Sequence, residues 1–140
     1  MSAYIPVELQ RKIRAHFSDR CAYCQTAEAL TVAIFEIEHI IPRSAQGQTV
    51  FENLCLACPT CNRYKANRQE ALDPVSNEMV PLFHPHLQNW ADHFAWDEMA
   101  TEIVGLSPIG RATISALKMN RPQMIRVRRM WVKMDQHPPS

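Results

Sequence analysis

Cys21-Ala22-Tyr23-Cys24 and Cys58-Pro59-Thr60-Cys61 repeat one spacing, with 33 residues between the two pairs. A two-residue spacer lets both thiolates of a pair reach one ion from a tight turn. Two such pairs complete a closed tetrahedral site, with Zn–S distances of about 2.3 Å. Four protein ligands leave no position for water, so the spacing predicts a structural zinc on Cys21, Cys24, Cys58 and Cys61. The binding free energy of such an ion is folding free energy. Cys55 is left over and reads as a small buried apolar residue. Five cysteines fit a disulfide framework poorly, and Met1-Ser-Ala-Tyr-Ile-Pro6 lacks the basic and apolar regions of a secretion signal. The expected compartment is reducing and cytoplasmic.

The rest of the chain is read outward from the cysteines. Its 140 residues are 46% apolar and 21% charged, which suits one domain, or one small domain with an extension. Ten prolines against three glycines predict short elements. No stretch approaches the roughly 20 apolar residues that span a bilayer, so no membrane partner is expected. The net charge of +1 hides a pattern. Residues 71–102 carry six acids and no base, and residues 103–140 carry seven bases and one acid, Asp135. A basic tail suits a polyanion as well as a solvated helix face.

Before Cys21, Leu9, Ile13 and Phe17 recur every four residues, which predicts a helix from Pro6 to about Asp19. Between the cysteine pairs, the β-branched run Thr31–Glu38 reads as a strand ending at His39 and stopped by Pro42. A polar loop over Ser44–Thr49 follows, then a turn or strand over Phe51–Leu56 and a helix from Pro59 to about Asn67. Beyond a turn at Asp73–Asn77, short strands are expected at Met79–Phe83, His93–Trp96 and Ile103–Leu106. Two helices close the chain, from Ser107-Pro108 to about Met119 and from Arg121-Pro122 to about Met134. The domain reading is a core over 1–70 and an extension over 71–140 packed on it.

The segment Glu36-Ile-Glu38-His39-Ile-Ile-Pro42, then Glu52-Asn53-Leu54, then Cys61-Asn62-Arg-Tyr-Lys65, resembles the HNH endonuclease family. That family's pattern is an acidic residue and histidine ending a strand, Ile-x-Pro, a loop, Asn-Leu, and a Cys-x-x-Cys-(His/Asn)-x-x-Lys helix. The resemblance covers about residues 20–68. It implies an α+β fold, a ββα-metal (His-Me finger) core stapled by the four-cysteine zinc site, and a metal-dependent nuclease acting on DNA, with RNA left open. Residues 80–133 look similar to an extension found in small bacterial HNH proteins.

By the same resemblance His39 is the general base, and Glu38 and Asn62 give oxygen ligands to a catalytic Mg²⁺ or another divalent ion such as Mn²⁺. Asn53 would hold the loop that orients His39. The chemistry is coherent without the name. Hydrolysis of a phosphodiester needs a water deprotonated near neutral pH and a cation to neutralise charge on the phosphate and leaving oxygen. Glu38 stands where aspartate is commoner, Asn62 where the founding motif has histidine, and Gln46-Gly47 where Gly-Gly is frequent.

Each residue also has a plainer reading. His39 alone would be structural, and Asn62 alone a helix cap; the ordered array favours the catalytic roles. Glu36 reads as an exposed strand carboxylate ahead of a further ion ligand, His84, His86 and His93 as surface histidines ahead of a second metal site, and Trp90, Trp96 and Trp131 as packing residues ahead of base-stacking platforms. Arg63, Lys65 and Arg68 are candidate phosphate contacts, extended by Arg126, Arg129 and their neighbours Arg128 and Lys133. The rival readings are a catalytically silent zinc-stabilised nucleic-acid-binding module and a zinc-linked protein-interaction domain. Intact Glu38, His39, Asn53 and Asn62 argue for the enzyme.

Overall fold

The computed structural model describes residues 4–139, a mixed α+β chain whose strands form three separate two-stranded sheets. It divides into two compact units. One takes in the chain up to Gln69 together with His84–Leu87; the other takes in Glu70–Phe83 and the chain from Gln88 onward.

In the first unit α1 spans Val7–His16 and buries Ile13 beside the second strand. It ends short of Asp19 because Ser18 and Asp19 adopt left-handed φ values of 55° and 54°. Arg14 ties the helix to the next segment, pairing with Glu28 at 2.7 Å and donating to Phe35 O at 3.2 Å. Strand β1, Glu36–His39, pairs antiparallel with β2, Leu54–Ala57, so that Glu36 faces Ala57 and His39 faces Leu54. The strand expected from Thr31 starts only at Glu36. Its partner is four residues long, and Val32 and Ile34 stand in solvent at 106% and 79% exposure with nothing to pair against. β-branched composition alone does not make a strand.

The loop between the strands contains 3-10 turns at Arg43–Ala45 and Phe51–Asn53. Gly47 is required there, since a Cβ would come within 1.7 Å of Ile41 O. Helix α2, Pro59–Lys65, completes a ββα unit. Cys58 caps it through Sγ, which accepts from Cys61 N at 3.4 Å, and Pro59 holds the first helical position. Ala66, at φ 50°, ends it two residues before Asn67. Within this unit the His86 ring reaches Leu54 O with Nε2 at 2.6 Å and packs against His16, Phe17 and Phe51.

The second unit contains two hairpins and three helices. Strands β3 (Glu70–Leu72) and β4 (Met79–Pro81) are joined by a turn organised by Asp73, whose carboxylate accepts from Val75 N, Ser76 N and Ser76 Oγ. Arg111 grips the same carboxylate with two bonds of 2.9 and 2.8 Å. Helix α3 (Trp90–His93) leads into β5 (Phe94–Trp96), which pairs with β6 (Ile103–Gly105). Helix α4 (Pro108–Leu117), capped by Ser107 Oγ on Gly110 N, packs on β6 and on the β3–β4 hairpin. Helix α5 spans Pro122–Lys133. Trp90 stacks on Phe94 and Trp131 is buried, in keeping with packing roles.

Arg128 departs from the expected phosphate-facing arginines. It is fully buried beneath Trp96, and its guanidinium donates to Thr101 O and Met119 O at 3.0 and 2.7 Å. Those carbonyls and Asn120 Oδ1 give the charge its partners, so it is a structural staple. Among the described residues no helix is long and apolar enough to cross a membrane.

Candidate metal centre and adjoining cleft

The turn after α1 delivers Cys21 and Cys24, and the start of α2 delivers Cys58, its N-cap, and Cys61. Their four sulfur atoms lie within 4.8 Å of one another, all buried. Cys24 Sγ and Cys58 Sγ are 3.9 Å apart, far beyond a disulfide bond, and all four are free thiols. A tetrahedron with metal–sulfur bonds of about 2.3 Å has edges of about 3.8 Å, so the donor set and its spacing fit a structural zinc. Contacts from Cys21, Cys58 and Cys61 pull the Cys24 thiol well below its ordinary pKa, whereas burial pushes Cys21 up. Among the described residues no other group of His, Cys, Asp and Glu side chains converges in this way. His84 Nδ1 accepts from two backbone amides, and His93 Nδ1 meets Ser107 Oγ.

On the same ββα unit, Glu38, His39, Arg43 and Asn62 border a cleft of about 290 Å³. The strand ends at His39, which lets neighbours on opposite strand faces border one cleft. His39 Nε2 lies 2.8 Å from Thr49 Oγ1. Burial and then the charge of Arg43 lower its pKa below the ordinary histidine value, which favours the neutral ring a base requires. Asn53 is buried and spends its whole amide on the loop: Oδ1 accepts from Ile41 N at 2.8 Å, and Nδ2 donates to Ile41 O and Gln48 O. Its carbonyl accepts from Ile40 N at 2.8 Å, extending the strand pairing by one step.

The two carboxylates of β1 meet two side chains of α2. Glu36, exposed, accepts from Asn62 Nδ2 at 2.9 Å. Glu38, 6% exposed, lies with Oε1 3.1 Å from Lys65 Nζ and Oε2 3.5 Å from Cys55 Sγ. Burial raises the Glu38 pKa, and the Lys65 charge offsets part of that rise. Although close to Lys65, the buried Oε1 accepts no aligned hydrogen bond. The Lys65 ammonium donates instead to Ile40 O at 2.9 Å.

Lys65 therefore does not answer the expectation of a phosphate contact. It is 1% exposed and committed to Glu38 and Ile40. Arg63 and Arg68 are exposed in this unit, as are Arg126 and Arg129 on α5 of the other. The sequence reading did not single out Thr49 as the partner of His39. Glu36 stands two residues before Glu38, the strand period that puts both on one face, and is exposed as the sequence suggests.

Residues 21–68 match the family model described as HNH endonuclease. This stretch is similar to an HNH endonuclease module. A segment of 54 residues is 41% identical to the CRISPR-associated endonuclease Cas9 of Corynebacterium diphtheriae, a match covering 38% of this chain and 5% of that protein. No solved structure matches the chain. The matched HNH stretch runs from the first zinc-site cysteine, Cys21, to Arg68 and includes both strands and the helix of the ββα unit.

HNH nucleases use divalent metals, and the cleft can be tested for its fit to one. Its carboxylate and amide oxygens are hard donors of the kind Mg²⁺ prefers. Glu38 Oε1 accepts no aligned hydrogen bond and has Lys65 Nζ as its neighbour at 3.1 Å. By donor chemistry, Glu38 and Asn62 suit such an ion.

Proposed function

We propose that the chain is a metal-dependent endonuclease that hydrolyses DNA phosphodiester bonds, with His39 as general base. The observation that supports this reading is that Glu38, His39 and Asn62 line one cleft. Thr49 Oγ1 can accept from His39 Nε2–H, and in that tautomer Nδ1 is free to take a proton from water. The hydroxide so formed attacks the scissile phosphorus. Glu38 and Asn62 would hold Mg²⁺ or Mn²⁺, which supplies charge neutralisation at the phosphate and the departing oxygen. Arg63 and Arg68, with Arg126 and Arg129, would contact backbone phosphates and give affinity without sequence preference.

Cleavage of supercoiled plasmid, with an RNA substrate in parallel, tests the reading. The wild type should nick DNA only when Mg²⁺ or Mn²⁺ is supplied, and His39→Ala should cut about 100-fold more slowly or less. Equal cutting by both proteins overturns the base assignment. Wild type that binds DNA but does not cut it, whichever ion is supplied, supports the silent binding module instead.

A further inference from the structure

The exposed carboxylate of Glu36 has no part in the mechanism above, yet it holds one of the two side chains assigned to the ion. We infer that Glu36 is a positioning residue that sets the Asn62 amide so that Oδ1, and not the NH₂ group, is presented as the ligand. This rests on the nuclease reading of the cleft and goes beyond it by naming what orients the amide.

A side-chain amide has two ends of nearly equal size and opposite chemistry. Its oxygen carries the lone pairs a cation needs; its nitrogen offers only protons. Rotation by half a turn about Cβ–Cγ turns a ligand into a repellent. A carboxylate accepts hydrogen bonds and gives none, so the Glu36–Asn62 contact of 2.9 Å admits only the orientation with Nδ2 toward Glu36. Oδ1 is then left without a competing donor among the described residues. The placement follows from matched periods. Glu36 and Glu38 are two apart on a strand, Asn62 and Lys65 three apart on a helix, and the pairs meet as Glu36 with Asn62 and Glu38 with Lys65. The buried rung fixes the helix against the strand; the exposed rung fixes the amide.

Removing a group that orients a metal ligand typically costs about 10–100-fold in metal affinity. The experiment is Mn²⁺ binding to the zinc-loaded full chain, read by electron paramagnetic resonance, for wild type, Glu36→Ala, Glu36→Gln and His39→Ala. Glu36→Ala should weaken Mn²⁺ binding about tenfold or more, with an unchanged thermal midpoint because the side chain is exposed. Glu36→Gln should stay within about threefold of wild type, because its amide can pair with either end of Asn62 and two equal orientations cost only about twofold. Wild-type affinity in Glu36→Ala overturns the inference. So does a loss in Glu36→Gln equal to that in Glu36→Ala, which would make the charge itself the contributor. In either case metal-dependent cutting by wild type, with normal Mn²⁺ binding but no cutting by His39→Ala, leaves the nuclease reading standing. Wild type that neither takes Mn²⁺ nor cuts ends both.

Discussion

Lys65 Nζ stands 3.1 Å from Glu38 Oε1, with both side chains almost wholly withdrawn from water. Breaking a buried pair by removing one partner leaves an uncompensated charge and costs about 3–5 kcal/mol. Lys65→Met should lower stability by that order in urea denaturation. Arg63→Ala, on the exposed side of the same helix, should leave stability nearly unchanged and reduce the slope of log K against log salt for DNA binding by about 1. A Lys65→Met protein that keeps its stability but loses salt-sensitive binding would return Lys65 to the phosphate-contacting group.

Thr49→Val removes the hydroxyl beside His39 and keeps nearly the same volume. One hydrogen bond of about 1 kcal/mol corresponds to roughly a fivefold fall in cleavage rate. The fall should appear in kcat, with Mn²⁺ affinity unaltered, since Thr49 is not among the residues assigned to the ion. An unchanged kcat would mean that the ring needs no support from this contact.

The pH response of the second unit follows from Asp73, fully buried in the grip of Arg111. Those bonds, with help from Ser76 and Val75, hold its carboxyl far below the ordinary aspartate value. A group depressed in the folded state favours folding above its unfolded pKa of about 3.9, and that contribution fades as pH falls below it. The three tryptophans, Trp90, Trp96 and Trp131, all lie in this unit, so their fluorescence reports on it. Urea melts followed by tryptophan emission should show stability dropping as the pH is lowered through about 4, and a shallower drop in Asp73→Asn. Parallel profiles for the two proteins would remove Asp73 as the source.

Metal analysis should find about one tightly held zinc per chain. Strong chelation should abolish the far-UV circular dichroism of the helices around the cysteines, because binding and folding are one equilibrium at such sites. A zinc-free protein with an unchanged melt would refute the four-thiolate site.

The cysteine spacing and the ordered array from Glu36 to Lys65 made the ββα unit legible, because both are local patterns whose ligands must sit on fixed elements. The reach of β1 was not legible: Thr31–Phe35 has strand composition, but strand length is set by the partner, and β2 offers four residues. Lys65 and Arg128 misled for a common reason. Long basic side chains usually stand in water, and only the fold shows Glu38 and Ile40, or Thr101 and Met119, supplying interior acceptors. Asn53 was readable as a loop clamp from its motif; its three bonds, to both backbone groups of Ile41 and to Gln48 O, were not.

Strand β2 begins at the residue after Asn53 and stops at the residue before Cys58, and all four of its residues are buried. It is a rigid rod of about 14 Å, anchored at one end by thiolates and at the other by the clasp on the hydrolytic loop. Oxidants or zinc starvation that slacken the first anchor would loosen the second, so the proposed catalysis would inherit the redox fragility of the four thiolates.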